Sequence, residues 1–379
     1  MNYAKIGDVC TVVSGSTPKS NVPDYWDGDI VWITPAELTE DSYIIDDSVR
    51  HITQKAVQET SLRPFPVGTV ILSSRAPIGK TAIAGREMYC NQGFKNLICS
   101  SQIYNKYLYF FLSCKTEYLN SLGRGATFKE ISKAIVEEIE IPLPDMVAQK
   151  QIADEFEQLR GLEWAYHKQI STFDRLVKSR FVEMFGAIPE SEFVTMESVC
   201  SLITDGTHQP PKFVDNGIPF LFVSNITTNE LTYDADKFIS SETYADLMKR
   251  TPVEIGDILL STVGSYGHPA VVKSDRKFSF QRHIAFLKPR RNAINSIYLH
   301  GVILTSGIQR QIDARVKGIA QKTLNLSEIR TLRFPLPPMK EQNRFAAFVT
   351  EVDKSKLAVK QSLEKLETLK KSLMQQYFG

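Results

Sequence analysis

The sequence predicts an α+β chain built twice, with two similar mixed α/β domains (1–145 and 187–338) separated by two long helices (146–186 and 339–379). Three observations predict this. A proline-bracketed strand end, a glutamine and a helical stretch closing on Phe-Gly occur as Ile141-Pro142-Leu143-Pro144…Gln149…Phe185-Gly186. They recur 193 residues later as Phe334-Pro335-Leu336-Pro337…Gln342…Phe378-Gly379. Apolar residues in both stretches return at helical spacing. Ahead of each helix a second signature repeats: Val67-Gly68-Thr69-Val70-Ile71-Leu72-Ser73-Ser74 matches Ile255-Gly256-Asp257-Ile258-Leu259-Leu260-Ser261-Thr262.

In chain order, Ile6-Gly7-Asp8-Val9-Cys10 opens a short apolar segment that breaks into the polar loop Ser14-Gly15-Ser16-Thr17-Pro18. Strand-like Ile30-Val31-Trp32-Ile33 follows a turn glycine, and the Gly68 strand leads through Gly79 to Gln92. A helical segment over 107–119 then reaches Gly123-Arg124-Gly125. In the first long helix the apolar positions are Ile152, Phe156, Leu159, Leu162, Tyr166, Ile170, Phe173, Val177, Phe181 and Phe185, close to the period of an α-helix. The second half repeats the order, with Met196 to Cys200, Thr204-Asp205-Gly206-Thr207-His208, Ile218 to Phe222, Gly267, Gln281, a helix over 298–316 and Lys317-Gly318. Its closing helix carries Phe345, Val349, Val352, Val359, Leu363, Leu366, Leu369 and Leu373, with Lys356 breaking the stripe, nearer the 3.5 spacing of a coiled coil. Forty residues at ~1.5 Å each make a rod of roughly 60 Å, too long for one small domain to bury. The two helices are therefore expected to pair as an antiparallel coiled coil about a pseudo-two-fold axis, a ruler between two reading heads.

Composition is that of an ordinary globular chain, 42% hydrophobic and 23% charged. The opening Met1-Asn2-Tyr3-Ala4-Lys5 lacks the apolar core of a signal peptide, and no run is long enough to span a bilayer. Five cysteines without Cys-x-x-Cys spacing fit reduced thiols in a cytoplasm, with no membrane partner. The formal charge of +2 hides a split: residues 1–145 hold 14 Lys+Arg against 17 Asp+Glu, and 187–338 hold 17 against 15. Nucleic-acid binding must then rest on local patches or on positive charge that a partner supplies.

Catalytic signatures are not assembled. Gly79-Lys80-Thr81 resembles the end of a P-loop, but Ser74 stands where its first glycine belongs, and the repeat replaces the lysine with His268. Gln209-Pro210-Pro211-Lys212 differs at both ends from the tetrapeptide of amino-methyltransferases. Pro23-Asp24 lacks the acid-x-Lys of a nuclease core, and the six histidines never pair at metal-ligand spacing. What remains is a set of polar residues suited to base edges and phosphates. In the first half these are Ser16, Thr17, Lys19, Ser74, Arg75, Lys80, Gln92, Lys95, Arg124 and Lys129. In the second they are Thr207, His208, Gln209, Lys212, Thr262, Tyr266, His268, Gln281, Arg282, His283, Lys317 and Lys322. They cluster at strand ends, where loops carry function.

The two-copy layout, the Pro-Leu-Pro…Gln-helix units and the paired Gly-x-x-strand-Ser-Ser/Thr segments resemble the specificity subunit of type I restriction–modification enzymes over essentially the whole chain. The resemblance implies two target recognition domains, each reading one half of a split double-stranded DNA site, held apart by the paired helices. It also implies docking of two methyltransferase (modification) subunits and, through them, restriction subunits. S-adenosylmethionine, ATP and Mg would then be bound by those partners, with no cofactor and no metal on this chain and no catalytic residue in it. Two alternatives use the same residues: a specificity subunit whose partner fuses methylation and cleavage, or a divergent DNA methyltransferase or nuclease. A coiled-coil scaffold binding protein alone is the third.

Overall fold

A computed structural model describes residues 2–75, 77–125, 129–318 and 321–379. The chain is α+β and forms two compact units: 1–166 with 362–379, and 167–361.

The first domain runs β1 (Tyr3–Lys5), α1 (Ile6–Val9), β2 (Cys10–Ser14), β3 (Trp26–Ile33), β4 (Ile44–Ile45), β5 (His51–Ile52) and α2 (Gln54–Glu59). It continues through β6 (Val70–Leu72), β7 (Thr81–Ala84), β8 (Tyr89–Cys90), β9 (Lys95–Cys99), α3 (Asn105–Cys114), α4 (Thr116–Leu122), α5 (Lys133–Glu137) and β10 (Glu140–Pro142). The first long helix, α6, is unbroken from Met146 to Phe185. The second domain repeats the plan with β11 (Val194–Thr195), α7 (Met196–Val199), β12 (Cys200–Asp205), β13 (Phe213–Val214), β14 (Ile218–Leu221), β15 (Phe238–Ile239) and α8 (Ser241–Met248). Then come β16 (Ile258–Ser261), β17 (Pro269–Val271), β18 (Ser279–Phe280), β19 (Ile284–Pro289), α9 (Ser296–Ile303), α10 (Ser306–Arg315), α11 (Leu326–Arg330), β20 (Arg333–Phe334) and α12 (Met339–Phe378).

Sheet order shows the duplication directly. The larger sheets run β2-β9-β6-β7-β4 and β12-β19-β16-β17, and the smaller ones β5-β3-β8 and β13-β15-β14-β18. Among the described residues β4 has no counterpart in the second domain, and β13 has none in the first. The matched glycines explain the matched strands: Gly68 and Gly256 sit at φ +84° and +92°, and Gly79 and Gly267 at +94° and +83°. Only glycine adopts those angles freely, so each pair brackets a short buried strand and closes its hairpin.

The Pro-Leu-Pro…Gln unit has a structural reason. Gln149 is fully buried, accepts from the Tyr104 amide (2.8 Å) and donates to the carbonyls of Gln102 (3.0 Å) and Pro144 (2.9 Å). Gln342 makes the same set with the Asn295 amide (2.9 Å) and the carbonyls of Ala293 (3.3 Å) and Pro337 (2.8 Å). Tyr107 and Tyr298 complete each copy by donating to the Pro142 and Pro335 carbonyls. Each glutamine thus ties a long helix to the segment that enters α3 or α9, using groups that burial would otherwise strand. Replacing Gln342 with Leu keeps the volume but orphans an amide and two carbonyls. A loss of about 2–4 kcal/mol is expected in thermal unfolding.

Within each unit the long helices pair antiparallel. In the first, Lys370 bonds Glu163 (2.8 Å) and Tyr377 bonds Glu155 (3.0 Å), while Phe378 stacks on Phe156. In the second, Lys356 bonds Asp174 at 2.7 Å and Phe345 meets Phe181 edge-on. The lysine that interrupts the apolar stripe is therefore matched by a carboxylate on the facing helix. The seam expected from spacing is corrected at two positions, because Leu162 (46% exposed) and Leu369 (49%) point outward. Deep burial is confined to the helix ends. Ile152, Phe156, Leu159, Leu366 and Phe378 join the first core, and Phe181, Phe185, Phe345 and Val349 the second. Covering a domain and pairing with the other helix are thus both true, at different points along one rod.

One core group departs from the repeat. Asp257 stands where the first domain has Thr69, is fully buried, and its Oδ1 has no hydrogen-bond partner among the described residues. Burial pushes its carboxyl above the ordinary value, although the Glu254 amide and the Lys288 ammonium (3.3 Å) work against the shift. A raised folded-state pKa means that the neutral form is favoured in the native protein. Its contribution is full below the ordinary carboxyl range and is lost as pH rises through the folded value. Asp257→Thr is expected to match the parent at low pH and to gain stability relative to it as pH rises. Denaturant midpoints at low and neutral pH check this.

Candidate nucleic-acid interface

Strand register collects the predicted residues at one end of each larger sheet. β2 runs antiparallel to β9 with Ser14 opposite Lys95, and Ser73, just past β6, bridges Phe94. The ends of β2 and β6 and the start of β9 therefore share one edge, from which the loops 15–25, 73–80 and 91–94 leave. Arg124 and Glu130 join them, since Glu130 bridges both Arg75 and Arg124. In the second domain Thr207 bridges Gln281, and Thr323 bridges Val263 and Lys317, so the same four segments meet.

Gly15 and Gly206 make this crossing possible. A Cβ at Gly15 would lie 2.0 Å from the Cys90 carbonyl, and one at Gly206 2.2 Å from that of Phe280. Past Gly15 the loop is held by two indoles: Trp32 Nε1 donates to Ser16 O (3.0 Å) and Trp26 Nε1 to Lys19 O (3.3 Å). The rings meet edge-on at 5.2 Å, and the Arg50 guanidinium lies 3.7 Å over Trp26. Thr17 donates to Gln92, joining two exposed loops. Lys19, Gln92, Arg124 and Lys129 have exposed side chains at this edge.

Other members of the set are turned inward. Ser74 is fully buried: its amide donates to Gly93 O, and its carbonyl accepts from Ile131. Thr262 repeats that pattern with His283 O and the Leu324 amide. Lys95 is 7% exposed and bonds Glu130 (3.1 Å) and Ser74 Oγ (3.3 Å), while Arg75 lies 3.5 Å from the same glutamate. Lys80 donates to Leu38 O at 2.5 Å. These groups organise the edge rather than line its surface.

In the second domain the exposed side chains at the edge are His208, Gln209, Lys212, Arg282, Lys317 and Lys322. Thr207 Oγ1 donates to Gln209 O (2.8 Å), and His208 Nε2 lies 2.8 Å from Asp205, which also binds Arg250. The Gln281 amide donates to Leu221 O, and Arg282 Nε to His283 Nε2 at 3.4 Å. Burial, aided by the neighbouring Arg282 charge, pulls His283 below its ordinary pKa, so at neutral pH it offers one donor and one acceptor. Tyr266 donates to Asp313 (3.0 Å), His268 Nδ1 pairs with Asn229 Oδ1 (3.0 Å), and Lys317 bonds Glu328 (3.0 Å).

Trp26, Trp32, Arg50 and Arg250 join this edge without having been singled out by motif. The two tryptophans meet across an irregularity in β3, where Trp26 and Ile30 both pair with Ile52, so strand alternation in the sequence did not reveal them. Among the described residues no cluster of three His, Cys, Asp or Glu side chains could hold a metal ion, and no helix is long and apolar enough to cross a membrane. The five thiols are unbridged, with Cys10 facing Cys99 across β2 and β9.

Comparisons with known proteins agree with this picture. The family model for the type I restriction modification DNA specificity domain matches twice, over residues 1–172 and 190–369. The MjaIX specificity subunit of a type I restriction enzyme from Methanocaldococcus jannaschii is 31% identical over 370 residues, 91% of this chain and 85% of that one. The EcoBI specificity subunit of Escherichia coli is 24% identical over 73% of this chain and 65% of its own length. Two solved structures share the fold. The S subunit of a type I system from M. genitalium has a TM-score of 0.58, 14% identity and coverage of 100% and 96%. A chain from a study of complex assembly and conformational transition of the type I R-M system has a TM-score of 0.61, 18% identity and coverage of 100% and 97%. A doubled domain, matched twice by one family model along a chain whose loops converge in the same way in both copies, belongs to the specificity subunits of type I restriction–modification systems.

Proposed function

We propose that each domain reads one half of a bipartite double-stranded DNA site through the loop edge described above, with residues 1–145 and 187–338 as the two target recognition domains and the helices 146–186 and 339–379 as spacers. The observation that carries this reading is one framework holding four converging loops in both halves while the loop residues themselves differ. The exposed polar side chains are the proposed contacts: Thr17, Lys19, Gln92, Arg124 and Lys129 in the first domain, and His208, Gln209, Lys212, Arg282, Lys317 and Lys322 in the second. Amides, imidazoles and guanidinium groups offer the donor and acceptor pairs that base edges require, and lysines neutralise phosphates.

The chain itself is proposed to be non-catalytic, binding no cofactor. Methyltransferase subunits, and restriction subunits through them, would join it in the cytoplasm and carry S-adenosylmethionine, ATP and Mg. Sparse positive charge on the first domain fits a subunit that binds DNA tightly only with partners. The test combines the purified chain with a type I methyltransferase subunit and sequences the methylated DNA. A single bipartite motif, absent when the chain is omitted, is expected. Methylation by the chain alone, or motif-independent methylation by the complex, would overturn the reading.

A further inference from the structure

Both halves contain a segment that connects the reading edge to a long helix. In the first unit Lys80, in the β6–β7 loop at that edge, donates to Leu38 O. The chain from Leu38 then reaches α6: Arg160 donates to Asp41 O (3.0 Å), and Tyr43 Oη donates to Glu157 at 2.5 Å. Glu157 also accepts from Lys106 at 2.8 Å on both oxygens, while the Arg160 guanidinium lies 4.5 Å over the Tyr43 ring. Tyr109 fixes the segment from the domain side by donating to Ser42 O (2.7 Å). In the second unit His268, at the position of Lys80, bonds the Asn229 side chain, and the Asn229 carbonyl lies 3.0 Å from His300 Nε2. The next residue, Glu230, bonds Lys360 of α12 at 3.1 Å. Asn229 adopts φ +63°, a left-handed conformation that asparagine takes up more readily than most residues.

The residues are unlike, yet the path is the same: edge loop, connecting segment, long helix. A chance surface contact would not be rebuilt twice from different chemistry. Resting on the DNA-reading function proposed above, we propose that the segments 38–45 and 226–234 are struts that hold each reading edge at a set angle to its helix, and that Lys80 and His268 are positioning residues rather than base contacts. A half-site moved by one base pair shifts ~3.4 Å along the duplex and turns by about a tenth of a revolution. A rigid strut rejects that displacement, and a loosened one tolerates it. The struts thus govern the stringency of the spacer between half-sites, while the exposed loop side chains choose the bases.

The experiment uses the full chain in complex with a methyltransferase subunit and DNA carrying the cognate half-sites with the spacer unchanged, one base pair shorter or one longer. If the parent complex shows no bipartite motif at all, the recognition function fails, and that failure is separate from the strut. With the parent active, Glu157→Gln, Tyr43→Phe and Lys80→Met are each expected to keep the half-site bases and to lower the preference for the cognate spacer about ten-fold, equivalent to ~1.4 kcal/mol. The Lys80→Met, Glu157→Gln double variant should lose no more than either single one, because both break one connection. A changed base preference in Lys80→Met, additive losses, or an unchanged spacer preference would overturn the proposal. Tyr43→Phe removes one hydroxyl and keeps the ring packing on Tyr109 and Phe110, so it decides the matter where a bolder variant unfolds.

Discussion

Gly206→Ala is expected to silence the domain proposed to read the second half-site while the first domain remains folded. A Cβ at this position would lie 2.2 Å from Phe280 O and 2.4 Å from Gln281 O, both backbone atoms of the β18–β19 connection. Neither can swing aside as a flexible side chain would, so β12 must lift from the loop it crosses. That movement breaks the Thr207–Phe280 and Arg282–Thr207 amide bonds that shape the reading edge. Overpacking of this kind costs about 3 kcal/mol. In a unit of this size that is a fall of roughly 6–12 °C in one unfolding transition. Gly15→Ala, facing Cys90 O at 2.0 Å and Asn91 O at 2.4 Å, does the same to the first unit. Calorimetry of the full chain checks both, and an unchanged transition in either variant counts against the crossing as described.

Replacing residues 187–338 with the corresponding segment of a relative is expected, on the proposed function, to rewrite one half of the methylated motif and leave the other half intact. The reason is the separation between framework and loops. Gln342, Tyr298 and the hairpin glycines have counterparts in Gln149, Tyr107, Gly68 and Gly79, so both halves of this chain use the same frame. His208, Gln209, Lys212 and Arg282 stand on loops whose residues differ from those of the matching loops in the first domain. The core of 187–338 also takes in Phe181, Phe185, Phe345 and Val349 of the long helices, so the exchanged segment must present the same apolar face to them. Sequencing of methylated DNA reads the outcome directly, and a change in both halves would show that the domains do not read independently.

The loop edge shows where sequence reasoning stops. Ser73-Ser74 and Ser261-Thr262 announce themselves as a repeated pair of hydroxyls beside a turn, which suits a contact as well as a framework. In the folded chain Ser73 Oγ and Ser261 Oγ accept from the Lys80 and His268 amides and close the hairpins. Ser74 and Thr262 join the ladder behind them. Lys95 reads as a phosphate ligand by type, yet burial against Glu130 commits it to the interior. Residue type states what a side chain can bind; its depth follows from which loops cross above it.

The duplication, the two long helices and the α+β character were determined by sequence alone, because periodicity, turn glycines and ordered repeats are local properties that survive without coordinates; the family was legible only as a resemblance carried by the ordered duplication. The convergence of four loops on one sheet edge, the outward turn of Leu162 and Leu369, and the inward turn of Ser74, Thr262 and Lys95 were decided by the tertiary structure. These depend on strand register and on contacts between residues far apart in the chain. A strand's alternation gives its buried face, but which loops cross over its end is set by the pairing of strands far apart in the chain.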